Sequence, residues 1–586
     1  MIFEHDLRIP HRDGLWLSGN VYRPNDWEKK PTPVITSLSP YNKEDHISKS
    51  EPWECRLMEY QGPTTVYERF DGKVWSDLGY TVIHLDAPGT GLSPGTVDVW
   101  SKRDILYYYD VIEWIAKQPW CDGQVASCGL SYHSFTSMAV ATLNPPSLKA
   151  IIAWEVGTDL YRDLAYPGGV YNSTFLQFWW DVWLLPKQRA VGLREPEDLA
   201  AGRVEILDEI KAHPHYDDFW KERTFDLSKI SVPFYTVANP CGHPISTNSH
   251  FRMINESSTA PEHKWLEVIT GKHVKPLYDT ENVMTQKRFL DFYLRKADNG
   301  WDKVPHVKYA TRGRHNYKNF LYDSVWPPLK TNKIIFALDA TQAEQQSSVQ
   351  TIAMDGKPYL SLVKGSKAET LKDATAEFHN EADEQMFVNA PVYSHHWTNI
   401  RAEKKRPGAS VAFITESFDK ATLIAGQSVV KLNVSLSGTD DADIFVALRY
   451  ISNSDHEVQF DGLLDNPNLP VAVHYQRVSK RKVDAKLSKG DFVYLDGSTP
   501  EPVKEGEVVE LNIMLSPLTV IVEKGGRLAL EISSRSLENS FCYTMTEKSD
   551  LKVGKGSVII HTGSKYSSQI SFPFQPKEIT DLPEAL

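Results

Sequence analysis

Hydrophobic and polar positions along this chain follow two regimes. Up to residue 335, short apolar runs alternate with helical periodicity. Leu15–Arg23 and Val34–Leu38 read as strands, and Thr81–Leu85 as a buried strand ending at Asp86. Beyond the loop Ala87-Pro88-Gly89-Thr90-Gly91, residues Ile105, Tyr108, Ile112 and Ile115 recur at helical spacing until Pro119 stops the helix. Strands follow at Val125–Ala126, Leu148–Trp154, Val232–Ala238 and Trp265–Ile269, and a helix around Met284–Arg295 closes the unit. From Asp159 to Phe225 the pattern turns to aromatic-rich helix (Phe175, Phe178, Trp179, Trp180, Trp183), an insertion between strands that reads as a cap.

After residue 336 helical patterns all but vanish. Val430, Leu432, Val434 and Leu436 alternate with polar residues, as do Ile444, Val446 and Leu448, then Val509, Leu511 and Ile513, then Leu528, Leu530 and Ile532. Period-2 strands between turn-rich loops predict an antiparallel sandwich of jelly-roll type. Parallel strands with helical crossovers predict a doubly wound sheet for the first part, with ligands at the carboxyl ends of its strands. The expected layout is an α/β domain over residues 1–158 and 226–335, a helical cap over 159–225, and a β-sandwich over 336–586.

A length of 586 residues is too long for one core, in keeping with several domains. The formal charge of −12 argues against nucleic acid or an anionic membrane as partner. The start has neither a basic n-region nor an apolar h-region, and no apolar run is long enough to span a bilayer. Five scattered cysteines lack metal-ligand spacing. These features predict a reduced, cytoplasmic protein with no structural zinc and no cofactor, acting on a small-molecule substrate.

The chemistry is carried by Gly129-Leu130-Ser131-Tyr132-His133. An apolar strand runs into it and a helix of small residues follows, which is the layout of a nucleophile elbow. Such a turn strains the serine and lifts its Oγ clear of the sheet, next to a helix N-terminus that favours negative charge. His133 stands where the motif has glycine. A histidine packed and hydrogen-bonded to backbone is the expectation for it.

Further segments match one family. Trp120-Cys121-Asp122-Gly123 with Gly129-Leu130-Ser131-Tyr132, Ser39-Pro40-Tyr41-Asn42-Lys43, Asp159-Leu160-Tyr161-Arg162, Gly271-Lys272-His273 and Asp441-Ala442-Asp443-Ile444 together resemble the CocE/NonD hydrolases. That family comprises cocaine esterase, α-amino-acid ester hydrolases and X-prolyl dipeptidyl peptidases. The resemblance runs over nearly the whole chain and is weakest in the cap. It implies an α/β-hydrolase domain with inserted helical cap, a C-terminal jelly roll, and acyl transfer to water through a serine ester. It further implies Ser131 as nucleophile, His273 as general base, and an oxyanion hole from the Tyr41 phenol and the Tyr132 amide.

The resemblance breaks at the acid. The loop after Val232–Ala238 reads Asn239-Pro240-Cys241-Gly242-His243, with Cys241 at the family's aspartate position and no carboxylate. Three readings follow. Glu155, at the end of the strand next to the nucleophile strand, replaces the aspartate; or Ser131 and His273 act as a dyad; or the site performs a lyase, cyclase or C–C cleavage step with His273 as base. His243 reads as a solvent-facing loop residue. The main expectation is a serine hydrolase of a carboxylic ester, lactone or amide of a bulky apolar substrate, judged from Trp179, Trp180 and Trp183. An inactive hydrolase-fold binding protein is the remaining alternative. The jelly roll is expected to buttress the active-site side and leaves room for a homodimer.

Overall fold

The computed structural model describes residues 1–50, 55–155, 157–188, 201–241, 248–314, 318–343, 359–365, 370–379, 410–462, 469–534 and 556–576. His243 and Cys542 lie outside the described residues. The first part is a ten-stranded sheet: β1 (Ile2–Pro10), β2 (Trp16–Arg23), β3 (Thr32–Ser39), β4 (Thr81–Asp86), β5 (Cys121–Leu130), β6 (Leu148–Trp154), β7 (Phe234–Ala238), β8 (Lys264–Val268), β9 (Val307–Arg312) and β10 (Lys318–Asp323). Pairing runs β1-β2-β4-β3-β5-β6-β7-β8-β9-β10. From β4 to β9 all pairs are parallel, and β3, β5 and β6 sit at the centre. The outermost strands, β1, β9 and β10, carry too little alternation to be read from sequence.

Central parallel strands are covered on both faces, so they are apolar throughout rather than alternating. All of β3 and β4 is buried, as are the last six residues of β5. Helix Lys102–Ile115 starts where the Ser101 Oγ accepts from the Asp104 amide at 3.3 Å, and its Ile105, Tyr108, Ile112 and Ile115 face inward as their spacing predicts. Helix Tyr132–Ala141 is buried on every side. Small residues let it lie close to β3, β5 and β6, and this fixes the direction from which Ser131 enters the site.

The segment between β6 and β7 is helical, as expected, but broken. Five-residue and six-residue π-helical stretches at Tyr161–Ala165 and Trp179–Leu184 are joined to short α and 3₁₀ turns. The second stretch carries Trp179, Trp180 and Trp183, all buried.

The C-terminal part is an antiparallel β-sandwich. Strand Val429–Ser437 pairs with Val509–Met514 and Ser557–Thr562, while Asp443–Ile451 pairs with Ala472–Arg477 and Arg527–Ser533. The alternating residues Leu432, Val434, Leu436, Ile444, Val446, Leu448, Leu511, Ile513, Leu528, Leu530 and Ile532 meet in one core. Each such side chain removed from water is worth about 1.5–3 kcal/mol. The sandwich also contacts this helical segment: Arg162 donates to the carbonyls of Leu495 and Asp496, at 2.5 and 3.2 Å. No described helix is long and apolar enough to cross a membrane.

Candidate active site

β5 ends at Leu130 and the helix begins at Tyr132, so Ser131 must turn the chain between them. It does so at φ 57°, ψ −121°, a conformation that costs a residue with a Cβ of order 1–3 kcal/mol. Two hydrogen bonds hold it there, from the Ser131 amide to Trp154 O (2.9 Å) and from the Phe135 amide to Ser131 O (3.0 Å). The side chain is half-buried. Gly129 is required by the same turn, since a Cβ on it would lie 2.2 Å from the His133 Cβ.

His133 is fully buried, as expected of a packed residue, but the expected hydrogen bond to backbone is not made. Neither ring nitrogen has a partner among the described residues. The ring meets Tyr41 edge-on at 6.1 Å, and burial holds its pKa well below the ordinary value, which keeps it neutral.

His273 follows β8 on the loop Gly271-Lys272-His273, and two carboxylates flank it. Its Nδ1 lies 2.8 Å from Glu155 Oε2, and its Nε2 lies 3.2 Å from Glu68 Oε1. Glu155 terminates β6 at φ 49° with its amide bonded to Val237 O at 2.8 Å. Glu68 has φ 59°, and its carbonyl accepts from the Leu130 amide at 3.3 Å, next to the nucleophile turn. Ser131, Glu155 and Glu68 thus all occupy the left-handed region, a concentration of backbone strain in one place. Both carboxylates are nearly inaccessible, at 3% and 2% exposure, so water screens their charge little. Burial by itself would lower the pKa of His273. The charge and hydrogen bond of Glu155, with those of Glu68, outweigh it and hold the imidazole well above its ordinary value.

Glu155 is one of three readings of the acid from sequence, and Glu68 is in none of them. Glu68 lies in the loop Thr65-Val66-Tyr67-Glu68-Arg69, outside any periodic pattern, and meets a histidine 205 residues away. Cys241, at the family's aspartate position, is buried, and its Sγ accepts from Arg312 Nη1 at 3.3 Å. Asn239 braces this loop. Its Oδ1 accepts from the Cys241 amide (3.1 Å) and its Nδ2 donates to Gly271 O (3.0 Å), so the loop supports the backbone just before His273.

Tyr41 follows β3 and is buried. Its hydroxyl accepts from Trp179 Nε1 at 2.6 Å, which leaves its own proton to donate. Burial and the nearby charge of Glu68 raise its pKa well above that of a free phenol, so the proton stays in place. The Tyr132 amide is the first of its helix and has no acceptor within it. The Tyr132 hydroxyl accepts from the Trp100 amide at 2.9 Å. Trp100 stacks on Trp179 at 4.6 Å and Tyr67 on Trp183 at 6.4 Å, which gives the site an aromatic roof.

Metal-ligating side chains gather among the described residues only at His5, Asp6 and Glu44, on the surface, where Lys43 Nζ already lies 2.7 Å from Asp6.

Comparison with known proteins agrees with this architecture. Residues 13–275 match the family model of the X-Pro dipeptidyl-peptidase (S15 family), and residues 299–571 that of the X-Pro dipeptidyl-peptidase C-terminal non-catalytic domain. Cocaine esterase of Rhodococcus sp. is 31% identical over 97% of this chain and 98% of its own length. A putative serine esterase of Mycobacterium bovis is 33% identical over 102 residues, a match spanning 16% of that protein. The crystal structure of a CocE/NonD family hydrolase from Staphylococcus aureus superposes with a TM-score of 0.81 at 28% identity, covering 98% of this chain and 94% of that one. With an α/β-hydrolase sheet, a strained serine at its elbow and an all-β C-terminal domain, the chain belongs to the CocE/NonD family of X-Pro dipeptidyl-peptidase-like serine hydrolases.

Proposed function

We propose that this protein hydrolyses a carboxylic ester, lactone or amide with a bulky apolar group, through an acyl-enzyme on Ser131. The observation that carries the reading is the strained turn at Ser131 combined with the 2.8 Å contact of His273 Nδ1 with Glu155 Oε2. A general base needs its far nitrogen held by an acceptor so that the other faces the nucleophile, and Glu155 meets that need where Cys241 does not.

In this reading the Ser131 hydroxyl passes its proton to His273 Nε2 as the Oγ attacks the substrate carbonyl. Nε2 must first leave Glu68, and arrival of the substrate over the elbow drives that exchange. Negative charge developing on the carbonyl oxygen is held by the Tyr41 hydroxyl and the Tyr132 amide, donors worth roughly 10²–10³ in rate each. His273 returns the proton to the leaving group, and water then attacks the ester with His273 again as base. Trp179 and Trp183 make the roof of the site apolar, in keeping with a substrate that carries a bulky apolar group. The described part of the helical segment serves as a cap that excludes water, and the β-sandwich supports it through Arg162.

Labelling with a fluorophosphonate and mass spectrometry of the modified peptide tests this reading. A stoichiometric adduct on Ser131, absent from Ser131→Ala, is expected. A folded protein that takes up no probe would overturn it.

A further inference from the structure

Behind the His273 loop lies a second cavity of about 270 Å3, walled by Thr270, Gly271, Lys272, Arg312, Lys318 and Phe460. It opens between the β9–β10 edge of the hydrolase sheet and the β-sandwich. Its charge is lopsided. Lys275 is neutralised by Asp279, which it meets at 2.7 and 2.8 Å, and Asp461 is exposed at the rim. Arg312 at the wall is 4% exposed, yet no carboxylate pairs with it among the described residues. Its Nη1 reaches the Cys241 sulfur, its Nη2 reaches Val471 O at 2.8 Å, and its Nε has no partner. Lys318 donates to Thr270 O at 3.3 Å and likewise has no described carboxylate partner.

A guanidinium taken out of water without a counter-charge is costly, and the Phe460 ring 4.6 Å below it offsets only part of that cost. A cavity beside such a group, with Lys272 and Lys318 also on its wall, offers room for an anion where the described residues supply none to Arg312. We propose that this cavity binds a small phosphate-type oxyanion, free or as the phosphoryl group of a small molecule. Arg312 and Lys318 supply the positive charge at its wall. The same walls carry the catalytic loop. Lys318 holds Thr270 O, Asn239 holds Gly271 O, and both carbonyls precede His273 by two or three residues. Occupancy therefore resets the His273 loop and changes turnover. This coupling rests on His273 being the base, whereas the binding site itself does not.

Calorimetric titration at constant ionic strength tests the site, with inorganic phosphate and glycerol 3-phosphate as separate probes against chloride. Saturable one-site binding of at least one is expected, and their relative affinity tells a free ion from a phosphoryl group. Lys318→Glu places a like charge beside the ligand and weakens binding at least about tenfold. Because Lys318 also holds Thr270 O, the turnover of this variant is compared with and without phosphate against its own baseline, and the phosphate effect is expected to vanish. Arg312→Met abolishes binding, and if that variant does not fold, Lys318→Glu alone decides. Absence of saturable binding, or binding indifferent to Lys318→Glu, would overturn the site. Binding that leaves the hydrolysis rate of an activated ester unchanged would overturn the coupling. A protein that binds phosphate but takes up no fluorophosphonate would overturn the hydrolase reading and leave the site standing.

Discussion

His273 between two carboxylates makes the pH dependence of this protein a matter of single residues. Both Glu155 and Glu68 favour the imidazolium, whereas a general base must be neutral. The acid limb of the kcat/KM profile therefore lies above the ordinary histidine range, and activity rises as pH rises through it. Glu68→Gln removes one of the two charges, lowers the His273 pKa, and moves that limb to lower pH; an unmoved profile would show that Glu68 does not act on the base. Glu155→Gln is expected to leave the circular dichroism spectrum intact and to lower kcat by about four orders of magnitude, the usual cost of losing a triad acid. Tyr41→Phe removes one oxyanion donor and should lower kcat roughly 10²–10³-fold with little change in KM for an activated ester. A KM effect alone would make Tyr41 a binding residue. The turn at Ser131 is legible from local chain pattern, whereas the role expected of Tyr41 rests on the family resemblance. Glu68 is not legible, since its role arises from a contact across 205 residues that no spacing encodes.

At the scale of elements, the turn between β5 and helix Tyr132–Ala141 sets both strain and packing. His133 in place of a small residue brings its Cβ over Gly129, so Gly129→Ala should destabilise the protein by about 1–3 kcal/mol, read as a lower denaturation midpoint. Combining it with His133→Gly relieves the overlap and should recover a good part of that loss. If the double variant is no more stable than Gly129→Ala, the overlap is not the cause. The strands of the sheet core and of the sandwich were legible because burial on both faces and alternation leave different signatures. The cap was legible only as helical. Its π-helical stretches were not legible; the second carries Trp179, which reaches Tyr41, and Trp183, which reaches Tyr67.

For the whole molecule, burial of neutral histidines links stability to pH. His133, His84 and His250 are enclosed and His474 is half-buried, and burial lowers the pKa of each, to about 3 for His84 and His250 and about 4 for His474. Unfolding lets each take a proton below its unfolded value near 6.5, so the unfolded state binds more protons and stability falls as pH drops through that value. Each such group costs about 2 kcal/mol at pH 5. His273, whose pKa is raised, works in the opposite sense. The Tm should therefore fall steadily below pH 6.5, and a flat Tm between pH 7 and 5 would contradict the enclosed, neutral state of these rings.

By itself the sequence determined the fold class, the order of its parts and the residue at the elbow, because these rest on periodicity, turn chemistry and short motifs that neighbours in the chain carry together. Glu155, ending the strand beside that of Ser131, was open to sequence reading as a candidate, with its partner left undecided. Only the tertiary structure decided what each residue meets. It brought Glu68 to the second nitrogen of His273, directed Cys241 to Arg312, left His133 without a hydrogen-bond partner, and hung Trp179 from the cap onto Tyr41. These contacts join segments far apart in the chain. Their energies depend on burial and on distances of a few ångströms, which are properties of the packed molecule rather than of any stretch of sequence.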